Sequence, residues 1–260
     1  MTTTLTLSAQ PSDPLVVVNG PLSEALAQRL GLRTVEDFTE QPGQQYVFYR
    51  DGTLYLGLAP SQREHPVCVD FAEQHRRRHR GKELLLKAVG GRRTGLRIVD
   101  TTAGLGRDSL LLASYGAEVT LCEREPVVAE MLADGLRRGL QQAEVAEFVA
   151  RMRLVPGPAS AYLRAIPEAD RPDVIYLDPM FPDSGKSAQV KKEMRLFHSL
   201  VGRDEDDGVL LQEALDCAKH RVVVKRAPRS AALSGPRPQF AVQGKAVRFD
   251  VYPLKAFPKG

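Results

Sequence analysis

The sequence predicts an α/β fold: a mostly parallel, doubly wound sheet with a C-terminal antiparallel hairpin and a small N-terminal α+β extension. From residue 96 onward, apolar runs with the length of buried strands alternate with helical patterns. This order favours a parallel sheet with helices on both faces. Residues 1–90 lack that rhythm. We therefore expect an extension over 1–90 and a larger domain over 91–260.

The N-terminal extension is predicted to contain short strands, one helix and a tight hairpin. Ser23 is expected to cap a helix over 24–30, which Gly31 ends. Asp51-Gly52 lies between two apolar segments and is a strong hairpin signal. Strands are expected at 15–18, 46–49, 54–56 and 67–69.

The larger domain is predicted to alternate strands and helices up to its last hairpin. Strands are expected at 96–99, 118–122, 152–155, 174–177 and 221–224, and helices at 108–115, 126–139, 192–201 and 209–218. The segments 240–242 and 247–252 then form an antiparallel hairpin. A parallel sheet with this ending is typical of Rossmann-like class I methyltransferases.

Composition narrows the class of protein. The chain has 260 residues, of which 43% are hydrophobic, enough for a sizeable core. It has no apolar run of membrane-spanning length, and residues 1–11 do not resemble a secretory signal. Its three cysteines and five histidines show no disulfide or metal-binding pattern, so we expect a cytoplasmic protein without a metal. The net charge of +4 gives weak support for a polyanionic partner.

A glycine-containing loop follows the strand at 96–99. Gly104 and Gly106 allow positive φ angles and a close approach of the backbone to a ligand. Glu123 ends the next strand, where a carboxylate accepts hydrogen bonds from ribose hydroxyls. The alternative is a tight strand-to-helix turn with Glu123 exposed to solvent.

The glycine loop departs from the dinucleotide-binding fingerprint. Ser109 stands where the third glycine would lie, which argues against a pyrophosphate at the helix start. S-adenosyl-L-methionine carries no phosphate and tolerates Arg107 and Asp108 at this place. We expect Asp108 to receive the ammonium group of its methionine part.

A second loop, Asp178-Pro179-Met180-Phe181, follows the apolar run 174–177. It resembles the Asp/Asn-Pro-Pro-Tyr/Phe loop of methyltransferases that modify exocyclic amines of bases. The lone pair of such an amine is delocalised into the ring, and Asp178 can accept its hydrogens. Phe181 offers a face on which a flipped base can stack. The alternative is a proline-stiffened surface turn in which Phe181 only packs.

Basic residues are concentrated in three places and are candidates for phosphate contacts. A charge run is also compatible with a solvated face. The three groups are the run 75–80 with Lys82, which includes Arg76, Arg77 and Arg78; Lys186, Lys191, Lys192 and Arg195; and Lys225, Arg226 and Arg229.

Several segments together resemble the bacterial ribosomal RNA small subunit methyltransferase J family. The similarity covers roughly residues 96–252. It is carried by the segments 100–108, 123–128, 176–182, 186–188, 190–195 and 221–226.

The resemblance implies a function and a set of site residues. It implies N2-methylation of one guanine in 16S rRNA with S-adenosylmethionine. The sequence leaves open whether free rRNA or the 30S subunit is the substrate, and it shows no sign of an obligate protein partner. It further implies cofactor contacts at Arg107, Asp108, Glu123, Arg124, Ser160, Ala161 and Asp178. The alternatives are an exocyclic-amine methyltransferase acting on DNA or adenine, and a non-catalytic RNA-binding factor in ribosome assembly.

Overall fold

The computed structural model describes residues 13–77, 83–179 and 207–258. Within these ranges the chain divides into two compact units, with the boundary between Val69 and Asp70. Each unit contains its own sheet. The described part of the chain contains no helix that is long and apolar enough to cross a membrane.

The smaller unit is a four-stranded mixed sheet with one helix, in the strand order β2-β1-β3-β4. Its elements are β1 (Leu15–Val17), α1 (Pro21–Leu30), β2 (Thr34–Val35), β3 (Tyr46–Arg50) and β4 (Thr53–Gly57). Strand β1 runs parallel to β2 and β3, whereas β3 and β4 are antiparallel. The predicted hairpin is confirmed: Asp51 and Gly52 have φ angles of 50° and 72°, as the tight turn requires.

Two details of the smaller unit differ from the sequence prediction. Ser23 is not the cap of α1, because the helix begins at Pro21, whose missing N–H costs nothing in a first turn. The Ser23 hydroxyl instead donates to the carbonyl oxygen of Gly20 at 2.8 Å. Val67 forms an isolated bridge with Leu56 rather than part of a strand over 67–69.

The larger unit contains a seven-stranded sheet in the order β10-β11-β9-β8-β5-β6-β7. Strands β7, β6, β5, β8 and β9 are parallel, and β11 lies antiparallel between β9 and β10. This confirms the predicted parallel sheet and its C-terminal hairpin. The strands are β5 (Arg97–Asp100), β6 (Glu118–Glu123), β7 (Met152–Pro156), β8 (Val174–Leu177), β9 (Arg221–Arg226), β10 (Phe240–Gln243) and β11 (Arg248–Pro253).

Helices cover this sheet, and three of the predicted ones are present. The helices are α2 (Phe71–Arg76), α3 (Glu83–Val89), α4 (Arg107–Ser114), α5 (Pro126–Gly139), α6 (Ala146–Val149), α7 (Ala159–Ala165) and α8 (Asp207–Cys217). Helices α4, α5 and α8 match the predictions to within two residues. The helix predicted over 192–201 lies outside the described residues.

The core explains why the central strands are uniformly apolar. All four residues of β8 are fully buried, as expected for a strand with helices on both faces. One cluster packs Leu211 and Ala214 of α8 against Ile175, Leu177 and Val222. The central strands are thereby packed into the core, and the candidate site lies at their carboxyl ends.

Helices α2 and α3 belong to the larger unit, although the sequence-based boundary near residue 90 assigned them to the extension. Helix α3 packs against β9, β10 and β11. Helix α2 packs against α4 and α5. The side chain of Asp70 caps α2 by accepting the N–H of Glu73 at 2.8 Å. An Asp followed three residues later by Glu is a start signal that the sequence analysis missed.

Candidate active site

The carboxyl ends of four neighbouring parallel strands converge on the candidate site. Strands β6, β5, β8 and β9 are adjacent in that order. Their ends carry Glu123, Asp100, Asp178 and Lys225. Residues that are far apart in the sequence are therefore brought to one edge of the sheet, where doubly wound folds bind ligands.

The glycine loop between β5 and α4 has the backbone conformation that the sequence predicted. Gly104 and Gly106 have φ angles of 52° and 71°, in the left-handed region. A Cβ at Gly106 would lie 3.0 Å from the ring of Phe71 and 3.1 Å from Leu132, so the position is also sterically restricted. A Cβ at Gly104 would meet nothing nearer than the Thr102 carbonyl oxygen at 4.0 Å, which leaves that side of the loop open.

Asp100, the last residue of β5, stabilises the glycine loop through two hydrogen bonds. Its carboxylate accepts a hydrogen bond from the Ser109 hydroxyl at 2.6 Å and another from the Thr102 N–H at 3.1 Å. Ser109 stands at the position of the third glycine of a dinucleotide fingerprint. Here its hydroxyl links the start of α4 to the end of β5. Burial raises the pKa of Asp100 to about 7, and the nearby carboxylates of Asp108 and Asp178 act in the same direction.

Glu123 is buried rather than solvent-exposed, with 7% of its surface accessible. Its carboxylate accepts the N–H of Gly104 at 2.8 Å and the N–H of Glu125 at 2.8 Å. Burial raises the pKa of Glu123, while these backbone hydrogen bonds favour the ionised form. The side chain therefore ties the glycine loop to the start of α5 and presents a carboxylate beside the loop.

Asp178 and Asp108 share one cation. The ammonium group of Lys225 lies 2.7 Å from Oδ2 of Asp178 and 2.7 Å from Oδ2 of Asp108. The hydroxyl of Tyr176 donates to the same Asp108 oxygen at 2.7 Å. The backbone N–H of Asp178 donates to the Thr102 hydroxyl at 2.7 Å, which ties the second loop to the first.

Lys225 is a site residue for which the sequence predicted a different role. It was grouped with the residues predicted to contact phosphates, yet its ammonium is engaged by two carboxylates at the edge of the sheet. Loss of solvent contact lowers the pKa of Lys225, but the two carboxylates outweigh this effect and raise it. Its neighbour Arg226 is buried and donates to the carbonyl oxygen of Ala231. The sequence signal was present: a lysine near the end of an apolar strand rarely lies in the core without an acidic partner.

The charges at this edge fit S-adenosylmethionine better than a dinucleotide. Asp100, Asp108 and Asp178 lie close enough for their charges to influence one another's protonation, and Lys225 supplies one positive charge among them. A ligand with an ammonium and a sulfonium group is attracted to such a site, whereas a pyrophosphate is repelled. Together with the open side of Gly104 and the carboxylate of Glu123, these charges match the chemistry of the cofactor.

Other predicted site residues lie around the same edge or outside the described residues. Arg107 begins α4 and Arg124 follows β6, and both are exposed. Ser160 and Ala161 lie in the first turn of α7, directly after β7. Pro179 is buried next to Asp178, whereas Phe181 is outside the described part of the chain.

Two of the predicted RNA-binding residues that the structure describes, Arg76 and Arg77, are paired within the protein. Arg76 lies 2.7 Å from the carboxylate of Glu144, and Arg77 lies 2.6 Å from that of Glu73. All four side chains are substantially exposed, so such pairs contribute little to stability and leave the arginines accessible. Arg229, another predicted phosphate contact, is exposed in the segment that follows β9. The predicted contacts that lie outside the described residues include Arg78, Lys186, Lys191, Lys192 and Arg195.

The fold and the site together define a class I S-adenosylmethionine-dependent methyltransferase. A family model described as "Putative SAM-dependent methyltransferase" matches residues 25–254. A solved SAM-dependent methyltransferase from Neisseria gonorrhoeae superimposes with a TM-score of 0.74 at 37% identity, covering 93% of this chain and 96% of that one.

Curated relatives narrow the class to one family. A ribosomal RNA small subunit methyltransferase J from Pseudomonas aeruginosa (strain UCBPP-PA14) is 47% identical over 90% of both chains. The protein of the same name from Thioalkalivibrio sulfidiphilus is 47% identical over 88% of this chain and 92% of its own length. The chain belongs to the ribosomal RNA small subunit methyltransferase J family.

Proposed function

We propose that this protein transfers a methyl group from S-adenosylmethionine to the exocyclic N2 of a guanine in 16S rRNA of the small ribosomal subunit. The observation that carries the proposal is the place of Asp178, which directly follows β8 and is hydrogen-bonded to the glycine loop through Thr102, in a chain of this family. The proposed substrate, free 16S rRNA or the 30S subunit, also supports a cytoplasmic location.

The chain's own residues supply the binding site for the cofactor. Glu123 offers its carboxylate to the ribose hydroxyls, and the open side of Gly104 accommodates the adenosine part. The carboxylates near Asp108 balance the positive charges of the ligand. When bound, S-adenosylmethionine supplies a methyl group on a positively charged sulfur, which makes that carbon electrophilic.

Asp178 compensates for the poor nucleophilicity of an aryl amine. A hydrogen bond from the amine N–H to the carboxylate favours a pyramidal nitrogen whose lone pair attacks the methyl carbon. As the nitrogen–carbon bond forms, the carbon–sulfur bond would break and S-adenosylhomocysteine would leave as a neutral thioether. The methylated nitrogen loses one proton, and the carboxylate of Asp178 is a suitable first acceptor for that proton. Such an acceptor contributes most in the transition state, where positive charge develops on nitrogen.

Methylation assays with separated substrates test the proposal. Purified protein is incubated with radiolabelled S-adenosylmethionine and 30S subunits, free 16S rRNA or duplex DNA, and the products are digested and mapped by mass spectrometry. The RNA substrates should come from a strain that lacks this methyltransferase, so that the target guanine is unmodified. N2-methylguanine at one position of 16S rRNA is the expected product.

Two variants link the product to the site. Asp178→Ala should lower the transfer rate about 10²–10³-fold, because a transition-state hydrogen bond is lost. Asp178→Asn should retain part of the activity, since its amide oxygen still accepts a hydrogen bond. Asp216→Ala, on the exposed face of α8, serves as the control.

Each competing function has its own outcome in these assays. Label in DNA or on adenine would identify a different exocyclic-amine methyltransferase. Cofactor or RNA binding without transfer to any substrate would indicate a non-catalytic assembly factor. Near-normal turnover by Asp178→Ala would remove the acceptor role from this residue.

A further inference from the structure

Lys225 joins the two loops of the candidate site through a pair of short contacts. Its ammonium nitrogen lies 2.7 Å from Oδ2 of Asp108 and 2.7 Å from Oδ2 of Asp178. The two carboxylate oxygens are therefore no farther apart than twice that distance. At such a separation, two negative charges repel each other strongly unless a cation lies between them.

The placement of Lys225 follows from the register of the sheet. Leu177 of β8 pairs with Val224 of β9, so the next residue of each strand, Asp178 and Lys225, emerges at the same level. The side chain of Lys225 is 26% exposed and that of Asp178 is 34% exposed. The pair thus lies at the boundary between the core and the open edge, with the lysine anchored on a central strand.

Other ionisable groups lie near this pair, and β11, which is next to β9, carries a further ion pair. Asp100 at the end of β5 and Asp108 on α4 add negative charge, and the hydroxyl of Tyr176 on β8 donates to Asp108. On β11, Arg248 and Asp250 form their own ion pair at 2.7 Å. Removal of Lys225 would therefore leave three carboxylates near one another without the cation that now bridges two of them.

We propose that Lys225 is a positioning residue for methyl transfer, which holds the carboxylate of Asp178 ionised and oriented toward the amine of the target base. This inference rests on the proposed function, because it assigns Lys225 a role through Asp178. Lys225 binds one carboxylate oxygen, and the Thr102 hydroxyl fixes the backbone of Asp178. The orientation of the acceptor is then set before any substrate arrives.

The test compares Lys225→Met with Lys225→Arg across pH. The methionine variant keeps the apolar stem and loses the charge, so repulsion from Asp108 and Asp100 should raise the pKa of Asp178. Single-turnover transfer at pH 7 should fall at least tenfold, and the acid limb of the rate profile should shift to higher pH. Part of the loss should therefore be recovered at alkaline pH. Lys225→Arg should keep most of the wild-type rate and profile.

A control variant and a second neutral substitution separate positioning from folding. Lys87→Met removes an exposed lysine from α3 and should leave the pH profile unchanged. Circular dichroism and thermal melting report whether each variant folds. If Lys225→Met unfolds, Lys225→Gln, which is also neutral, provides the same measurement.

A readout that needs no RNA separates this inference from the proposed function. The carboxyl carbon of Asp178 can be followed by carbon-13 NMR during a pH titration, with Asp178→Asn identifying its signal. The titration midpoint should be higher in Lys225→Met than in the wild type, whatever the substrate proves to be. An unchanged midpoint, or a loss of rate that is equal at every pH, would overturn the positioning role. A shifted midpoint without transfer to rRNA in the wild type would instead refute the proposed function.

Discussion

At the scale of single residues, Glu123 combines a proposed role in cofactor binding with a structural role. It is expected to bind the ribose, and it also braces the glycine loop against the start of α5. We predict that Glu123→Ala weakens cofactor binding about ten- to a hundredfold. This is the change in affinity expected when a hydrogen bond to a charged group is lost. The transfer rate at saturating cofactor should change less, because the ribose contact is the same in the ground and transition states.

Isothermal titration calorimetry with S-adenosylmethionine measures this effect. Glu118→Ala is the matched control, since it removes an exposed glutamate from the other end of the same strand. Glu123→Gln should lose less affinity than Glu123→Ala, because the amide oxygen can still accept one of the backbone N–H groups. Wild-type affinity in Glu123→Ala would contradict the ribose role.

Asp100 gives the protein a pH-dependent component of stability. Its pKa is raised to about 7 in the folded protein, well above the value near 3.9 in an unfolded chain. Between these two values the folded state binds more protons than the unfolded state, so this group lowers stability as the pH rises from about 4 to about 7. Above about pH 7 the group is ionised in both states, so its effect on the free energy of unfolding stays constant.

Asp100→Asn isolates this contribution, because the amide does not titrate. The unfolding free energy of the variant minus that of the wild type should increase by a few kcal/mol between about pH 4 and pH 7. Urea unfolding at several pH values measures the difference, and Glu118→Gln controls for the loss of a charge elsewhere. A difference that does not change with pH would show that Asp100 titrates near its ordinary pKa.

At the scale of elements, the segment after β11 is held to the sheet through Phe257. Its ring lies 4.6 Å from the guanidinium of Arg221 and 4.9 Å from that of Arg93, and the His220 ring is 4.7 Å away. A Cβ at Gly90 would lie 2.7 Å from the ring, so the glycine is needed for this packing. The segment is therefore held against the start of β9 by cation–π contacts.

We predict that Phe257→Ala lowers the free energy of unfolding by about 1–3 kcal/mol, through lost apolar burial and lost cation–π contacts. Phe257→Leu should lose less, because it keeps the apolar volume. Chemical denaturation measures both, with Phe240→Ala as the control, since Phe240 is 47% exposed on the edge strand. Equal stability of wild type and Phe257→Ala would show that the segment does not contribute to the fold.

Elements with a strong local signal were predicted well. Helix α5 was predicted from its first to its last residue, because Pro126 marks the first turn and one face is apolar. The four strands β5, β6, β8 and β9 were found from their apolar runs, with ends that differ by up to two residues. Helices α2, α3, α6 and α7 were missed, since they have only four to seven residues and their apolar faces are correspondingly short.

At the scale of the whole molecule, the question is how the protein holds RNA. We predict that a double substitution of Lys191 and Lys192 by Ala weakens binding to 16S rRNA and flattens its salt dependence. Each lost phosphate contact should reduce the log–log slope by about 0.7–0.9. Filter binding at several salt concentrations measures the slope, and calorimetry should show unchanged cofactor affinity. An unchanged slope would mean that this basic stretch is a solvated face.

Arg76 and Phe181 are informative comparisons for that measurement. Arg76 forms an ion pair with Glu144 and must give up this partner to bind a phosphate. Its loss should therefore reduce the log–log slope by less than the loss of a full phosphate contact. Phe181→Ala should lower turnover at a cost of about 1–3 kcal/mol and leave the salt slope unchanged, because stacking does not involve counterion release.

The sequence by itself determined the class of the protein. The alternation of strands and helices, the left-handed glycines at 104 and 106, Glu123 and the Asp178-Pro179 pair were all readable, because each leaves a local signal of periodicity or residue type. Only the tertiary structure decided which charges meet. Lys225 lies far from Asp108 in the sequence. Its place near the end of an apolar strand indicates an acidic partner but does not say which residue that partner is. The parallel register of β8 and β9 and the docking of α4 place it between two carboxylates, and such pairings depend on non-local packing.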